Sequence, residues 1–118
     1  MMRRAILAVV TILAVLTACA SVQTVSQTRA YLRVRNDHWL EQVVYANCGS
    51  KIRMGTATGI RETLLKVPRA CEDRSVSFST DPIGSNEISQ SDALDVHAGD
   101  VLQLHVPALF NGYLFLSR

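Results

Sequence analysis

The chain has 118 residues, and its 12 basic and 10 acidic side chains give a formal net charge of +2. This length fits one domain rather than two. The positive excess comes from Arg3 and Arg4, so the rest of the chain is near neutral and its charge gives no support for nucleic-acid binding.

An apolar leader begins the chain. Residues 1–4 are short and positively charged, and residues 5–18 are apolar except for two threonines. A membrane-spanning helix needs roughly 20 apolar residues, whereas a secretory signal peptide has a shorter apolar core after a positive start. A buried helix of a soluble domain would show a polar face, which this segment lacks. We therefore predict that residues 1–18 form a cleaved signal peptide.

The leader ends in Leu16-Thr17-Ala18-Cys19, which resembles the lipobox of bacterial lipoproteins at all four positions. The resemblance implies that Cys19 carries a diacylglycerol on its sulfur and an acyl chain on the new amino terminus. Two or more chains anchor a protein stably, since each buried methylene contributes about 0.8 kcal/mol. Residues 19–29 would then be a flexible polar tether. Ala20 stands where an aspartate would resemble an inner-membrane retention signal, which in a Gram-negative cell implies the periplasmic side of the outer membrane.

Segments that alternate between apolar and polar residues follow from residue 30 to the end of the chain. A period of two predicts half-buried strands, and clusters of Gly, Asn, Asp and Pro between them predict turns. The predicted strands are Ala30–Asn36, Trp39–Cys48, Lys51–Thr58, Ile60–Val67, Ser75–Thr80, Ala93–His97, Val101–Val106 and Tyr113–Leu116. The short break between the second and third of these strands predicts an antiparallel hairpin.

Three local features carry further expectations. Residues 81–84 have the composition of a turn, and Asn111-Gly112 is typical of a two-residue hairpin. The segment Ile60–Val67 could form a short helix capped by Thr58, or a strand paired with the strand before it. We predict a strand, because an eight-residue helix is marginal and its neighbours are strands.

Seven or eight short strands at regular spacing predict an all-β domain over residues 30–118, an antiparallel β-sandwich of Ig-like or small-barrel form. The order of the turn residues also resembles that of small, uncharacterised bacterial lipoproteins. The matching residues are Asn36, Arg53-Met54-Gly55-Thr56, Val67-Pro68 and Asp81-Pro82-Ile83-Gly84-Ser85. This resemblance implies a fold and no activity.

Two cysteines remain once Cys19 is assigned to the lipid. An exported chain meets an oxidising compartment, which favours a disulfide between Cys48 and Cys71 over free thiols or a metal site. Closing a loop of this size would stabilise the domain by about 3 kcal/mol in the chain-entropy model. With His97 and His105 the pair could supply four zinc ligands, but the close ligand spacing of structural zinc sites is missing. We predict no metal, no cofactor and surface histidines.

Basic residues are concentrated in the first part of the domain, with nine between residues 19 and 74 and only Arg118 beyond. We favour the interpretation that these basic residues lie on outer faces of the domain, in contact with solvent. The alternative is a basic face toward an anionic envelope polymer or lipid head group. Its members would be four residues that could lie side by side on paired strands: Arg33, Arg35, Lys51 and Arg53.

The sequence carries no catalytic signature. No G-x-S-x-G elbow is present, although a triad could be recognised only by geometry. We therefore expect a non-enzymatic, lipid-anchored envelope protein that binds a protein or polymer partner. One alternative is a small envelope hydrolase with His97 or His105 as its base. The other is a secreted inhibitor or assembly factor, for which Leu109, Phe110 and Leu114 could form an exposed apolar patch. Trp39 is either an exposed ring or a core plug.

Overall fold

The structure, a computed structural model, describes residues 28–118, which form nine strands and a single 3-10 turn. The strands are β1 (Tyr31–Asn36), β2 (Gln42–Asn47), β3 (Lys51–Ala57), β4 (Arg61–Lys66), β5 (Arg74–Pro82), β6 (Ser89–Ser91), β7 (Leu94–Val96), β8 (Val101–Val106) and β9 (Tyr113–Ser117), and the 3-10 turn covers Arg69–Cys71. The predicted signal peptide and Cys19 lie outside the described residues. Within residues 28–118, no helix has the length and apolar character needed to cross a membrane.

The nine strands form a mixed sheet that closes almost completely into a barrel-like sandwich. The strand order is β3-β2-β5-β6-β9-β8-β1-β4, and β7 pairs with the beginning of β5. One half of the sandwich is β3-β2-β5-β6 and the other is β9-β8-β1-β4, and the pairing of β6 with β9 joins them. The edge strands β3 and β4 approach each other without pairing. The predicted all-β sandwich or small barrel is therefore confirmed.

The expectation of a purely antiparallel sandwich is wrong in two places. Strand β1 runs parallel to β8, and β6 runs parallel to β9. A parallel pair needs a crossover connection rather than a hairpin, so its members are separated by other strands in the sequence. Alternation shows which side chains face inward, but it carries no information about the direction of the neighbouring strand.

All eight predicted strands are present. The structure differs from the prediction in the partner of one strand, the end of another and the connection to the last, and it contains one additional strand. The ambiguous segment is strand β4, but it pairs with β1 and not with the strand before it. Strand β5 continues through Asp81 and Pro82, where a turn was expected. Residues 107–112 connect β8 to β9, so Asn111-Gly112 does not form a two-residue hairpin. The ninth strand, β6, is not among the predicted strands.

The core consists of the inward-facing positions of these alternating strands. Leu32 and Val34 of β1 lie beside Leu102 and Leu104 of β8, because the two strands run in register. Phe78 of β5 is the largest fully buried side chain. Fully burying such a side chain stabilises the fold by roughly 1.5–3 kcal/mol. The inward positions that alternation predicts in β1, β5 and β8 are thus correct.

A disulfide joins Cys48, just after β2, to Cys71 at the end of the 3-10 turn. The two Cα atoms are 5.4 Å apart, and both side chains are buried. This confirms the predicted pairing.

The loops of the sandwich gather at two opposite ends. The chain enters at the proximal end, where the backbone N–H of Tyr31 donates to the Asp100 carbonyl at 2.9 Å. The proximal loops, set by the strand directions, are residues 48–50, 67–73 and 97–100. At the distal end lie residues 37–41, 58–60, 83–88 and 107–112, which we call the distal loop cluster.

Candidate binding surface at the distal end

Backbone hydrogen bonds join the loop after β1 to two other loops of the distal cluster and to the end of β8, and the stacked rings of His38 and Phe110 join it to the fourth loop. The N–H of Ile60 donates to the His38 carbonyl at 3.0 Å, and the N–H of Ile83 donates to the Glu41 carbonyl at 2.9 Å. The N–H of Asp37 donates to the carbonyl of Val106, which precedes the last of the four loops, at 3.0 Å. The loop after β1 therefore contacts the other three, and the cluster is held as a unit rather than as separate tips.

The side chain of Asn36, the last residue of β1, holds two of these loops, residues 37–41 and 58–60, by hydrogen bonds. Its side chain is fully buried, and its amide donates to the carbonyls of Leu40, Ala57 and Thr58 at 2.9, 3.4 and 3.3 Å. Its side-chain oxygen accepts from the N–H of His38 at 3.0 Å. A buried polar side chain that satisfies several backbone groups in this way rigidifies the loops around it. The sequence indicated Asn36 only as a strand end.

The side chain of His38 also holds the loops of the cluster together. The expectation that this histidine lies on the surface is wrong. Only 6% of its surface is exposed. Its ring stacks on the Phe110 ring with 3.9 Å between centroids, which covers it and joins the loop after β1 to the loop after β8. Its Nδ1 accepts a hydrogen bond from the N–H of Leu40 at 3.0 Å, which requires that nitrogen to be unprotonated.

The loop between β3 and β4 is packed tightly against the loop after β1. A Cβ on Gly59 would lie 2.2 Å from the Trp39 carbonyl oxygen, so only glycine allows this approach. The next residue, Ile60, has φ of 54°, in the left-handed region that β-branched residues rarely adopt. Such a conformation costs on the order of 1–3 kcal/mol, and residues that adopt it cluster at functional sites.

Large apolar side chains are exposed on every loop of the cluster. Five of the nine large exposed apolar residues of the described chain belong to it: Trp39, Ile60, Ile83, Ile88 and Leu109. None belongs to the proximal loops. Exposed apolar side chains gathered at one place mark an interaction site more often than isolated ones do.

The three residues of the predicted apolar patch, Leu109, Phe110 and Leu114, differ in their exposure. Leu109 is 82% exposed and Phe110 is half-buried, but Leu114 is buried in the core. Trp39, which could have been a core plug, is 74% exposed. Of the three residues of the predicted patch, only Leu109 is exposed, and it shares the distal loop cluster with the exposed side chains of Trp39 and Ile60.

The charged side chains on the cluster are mostly acidic. Glu41 and Glu87 are exposed, and neither is in an ion pair within the described part of the chain. Arg61, at the start of β4, is the neighbouring base. The apolar surface thus has an acidic margin on the side of residues 41 and 83–88.

Beside the cluster, His105 and Asp37 form a pair on the outer face of the sheet. His105 Nε2 lies 2.5 Å from Asp37 Oδ2, and Arg35 Nε lies 3.3 Å from Asp37 Oδ1. The hydrogen bond with His105, together with Arg35, lowers the pKa of Asp37 below its ordinary value of 3.8. Both partners stabilise the ionised carboxylate.

The other candidate base, His97, lies at the proximal end. Its Nδ1 is 3.0 Å from Asp73 Oδ1, and this hydrogen bond, with the charges of Asp100 and Asp73, raises the pKa of His97 above 6.5. The ring of His97 is thus paired with Asp73, and the ring of His105 is paired with Asp37. The geometry therefore supplies a histidine–aspartate pair at each place.

A surface cavity of about 270 Å³ lies where β1 ends and β4 begins. Its lining residues are Arg35, Asp37, Ile60, Arg61 and Glu62. It adjoins the distal loop cluster through Asp37 and Ile60, which belong to both.

The four residues of the predicted basic face do not lie on paired strands. Arg33 and Arg35 are exposed on β1, whose neighbours are β4 and β8. Lys51 and Arg53 are exposed on the edge strand β3, which pairs only with β2 in the other half of the sandwich. The expectation assumed that β1 would pair within the following hairpin, and the β2–β3 hairpin instead pairs with β5.

The part of the chain that the structure describes contains no group of three or more His, Cys, Asp or Glu side chains arranged to hold a metal ion. Comparisons with protein-family models, with curated proteins and with solved structures found no match.

Proposed function

We propose that this protein is a lipid-anchored, non-enzymatic binding protein of the cell envelope that holds a protein partner on its distal loop cluster. The observation that carries the proposal is the position of the exposed apolar side chains. They lie on loops at the end of the sandwich opposite to the end where residue 28 enters.

An anchor at Cys19 supports this arrangement. An extended chain spans about 3.3–3.6 Å per residue, so the residues between Cys19 and residue 28 reach roughly 30 Å at most. A domain held by that tether at its proximal end would direct its distal loops away from the anchoring membrane. The apolar side chains would then meet partners in the compartment rather than the lipid that holds the protein.

A protein surface fits the distal cluster better than a second lipid surface. An exposed tryptophan side chain on a rigid base, such as Trp39, is typical of the anchor residues that contribute most to protein interfaces. Membrane-binding loops usually add lysine or arginine for the anionic head groups, whereas Glu41 and Glu87 give this surface an acidic margin. We therefore expect a partner with an apolar site and a basic margin, which complements the charge.

The inhibitor or assembly factor considered from the sequence would use the same surface, and Leu109 and Trp39 favour that class over a hydrolase. The two roles differ in what happens to the partner. An inhibitor lowers the activity of its partner, and a binding or assembly protein leaves that activity unchanged.

The first experiment places a photo-crosslinking amino acid at Leu109 or Trp39 in the full-length protein in its native membrane. A matched control position is Lys66, which is exposed on β4 away from the distal loops. We expect one protein adduct from the two distal positions and none from Lys66. Adducts only with lipid, or equal adducts from all three positions, would contradict a protein partner.

A second experiment tests the anchor separately. The intact mass of the protein purified from its membrane should show removal of residues 1–18 and addition of acyl chains to Cys19. Cys19→Ala should prevent both changes. A mass equal to the bare processed chain would refute the lipid anchor and leave the crosslinking result to be interpreted for a freely exported domain.

A further inference from the structure

We infer that the surface cavity next to Ile60 and Arg61 binds a carboxylate carried on a small apolar group. This inference is independent of the proposed anchoring and of the protein partner. It depends on the charges, the shape and the backbone conformation of the cavity.

The charges of the cavity lining are satisfied except at one residue. Arg35 and Asp37 pair with each other at 3.3 Å. Glu62 is 3.2 Å from Arg33, on the neighbouring strand. The side chain of Arg61 is exposed and takes part in no ion pair or side-chain hydrogen bond within residues 28–118. The lining therefore offers one free guanidinium, and both of its carboxylates are already neutralised.

A free guanidinium selects for a carboxylate by geometry as well as by charge. Its planar N–H groups can donate two parallel hydrogen bonds to the two oxygens of a carboxylate. A cation would meet Asp37 and Glu62 only after displacing Arg35, His105 or Arg33, so the cavity is not suited to positive ligands.

Ile60 supplies the apolar wall, and its backbone conformation indicates that this side chain is used. Glycine or asparagine would adopt φ of 54° more readily than a β-branched residue. The contact of Gly59 with Trp39 and the hydrogen bond from Ile60 to His38 hold the loop in this conformation. Ile60 is 65% exposed, so core packing does not explain the choice of isoleucine.

The size of the cavity limits the ligand. Its volume of about 270 Å³ is close to the lower end of small-molecule sites, which begin near 300 Å³. A branched acid of a few carbons, or the carboxy-terminal residue of a protein, has this chemistry. Both sources present one carboxylate next to an apolar side chain.

The test is an NMR titration of the purified protein with 4-methylpentanoate, and with 4-methylpentanamide as the uncharged analogue. We expect saturable shifts of the backbone signals of residues 60–62 with the acid only. Arg61→Gln should weaken binding about tenfold or more, because a hydrogen bond to a charged group is lost. Arg53→Gln, which removes an exposed arginine from β3, should leave binding unchanged.

A second titration distinguishes a small acid from the carboxy terminus of a protein as the ligand. It uses the peptide Ala-Ala-Ala-Leu in its free-acid and amidated forms. Tighter binding of the free-acid peptide than of 4-methylpentanoate would assign the site to a chain terminus, and equal or weaker binding would assign it to a small acid. Equal binding of acid and amide, equal loss in both arginine variants, or no saturable shift would overturn the inference. An unchanged spectrum of the unliganded Arg61→Gln protein shows that it remains folded.

Discussion

The ring of His38 lies flat against the ring of Phe110, with 3.9 Å between their centroids and 16° between their planes. The two residues are on loops that follow β1 and β8, so this contact connects positions far apart in the sequence. The same histidine accepts a hydrogen bond within its own loop. The exposed side chains of Trp39 and Leu109 are the immediate neighbours of this pair in sequence, and the stack therefore sets their relative positions.

A double-mutant cycle on His38→Ala and Phe110→Ala measures this contact. We expect a coupling of about 0.5–1.5 kcal/mol in the free energy of unfolding, as for other aromatic pairs. The cycle on His105 and Phe115, whose rings are 6.1 Å apart and tilted, should give a smaller value because that pair lies on the outer face. Equal coupling in both cycles would contradict a special role for the distal stack.

Removal of the buried amide at Asn36 should be costly. Asn36→Ala leaves three loop carbonyls without their side-chain donor, and we expect a loss of about 3 kcal/mol in the free energy of unfolding. Asn47→Ala is the matched control, since its amide makes one half-buried hydrogen bond of 3.3 Å to Ser79 and should cost under about 1 kcal/mol. Denaturant titrations of the two variants test the difference.

Gly59→Ala should displace the Trp39 loop. The new Cβ would lie 2.2 Å from a backbone oxygen, which cannot move alone, so we expect a loss of about 2–3 kcal/mol. The chain has one tryptophan, and its fluorescence therefore reports this loop. Gly84→Ala introduces a residue at φ of 87° with no atom within 4 Å. It should cost about 1–2 kcal/mol and leave the fluorescence unchanged.

The disulfide closes a loop whose ends are 23 residues apart. We expect the Cys48→Ala, Cys71→Ala double variant to lose about 3 kcal/mol of unfolding free energy, chiefly because its unfolded chain is less restricted. Reduction of the native protein should produce the same loss. A stability equal to that of the oxidised protein would show that the bond contributes little.

The contact of His97 with Asp73 at the proximal end predicts how the stability of the folded protein changes with pH. Because the folded-state pKa of His97 is raised, its contribution to stability is complete below about pH 6.5 and is lost as the pH rises through the folded value. Asp73→Asn should lower the pKa of His97, measured from its ring proton signals by NMR. Asp81→Asn, at the other end of the sandwich, should not change it. No difference between the two variants would assign the shift to other groups.

The alternation of side chains was sufficient to locate eight strands, including β4, and to identify the inward positions of β1 and β8. It could not supply the order of strands in the sheet. The parallel contact of β1 with β8 depends on the path of the whole chain, and no local signal encodes it. The expected placement of four basic residues on paired strands was wrong for this reason, because β1 and β3 do not pair.

The candidate site was only partly predictable for a similar reason. Leu109 could be recognised from the sequence as an apolar residue outside the predicted strands, whereas Trp39 stood at the start of a predicted strand as either an exposed ring or a core plug. Both side chains are exposed. The residues that position them are Asn36 and His38, polar side chains in a turn that sequence analysis assigns to the surface. Their burial results from contacts with loops that are distant in sequence, and only the folded arrangement reveals it.

The parallel pairing of β1 also has a consequence for folding during synthesis or transport. As the chain emerges from its amino-terminal side, β1 can pair with β4 once residue 66 is free. The other edge of β1 stays unpaired until residue 106 has also emerged, because that edge pairs with β8. Such a high contact order slows folding and leaves an unpaired, partly apolar strand edge exposed in the incomplete chain. A holding chaperone would therefore have its longest opportunity to act on the first strand.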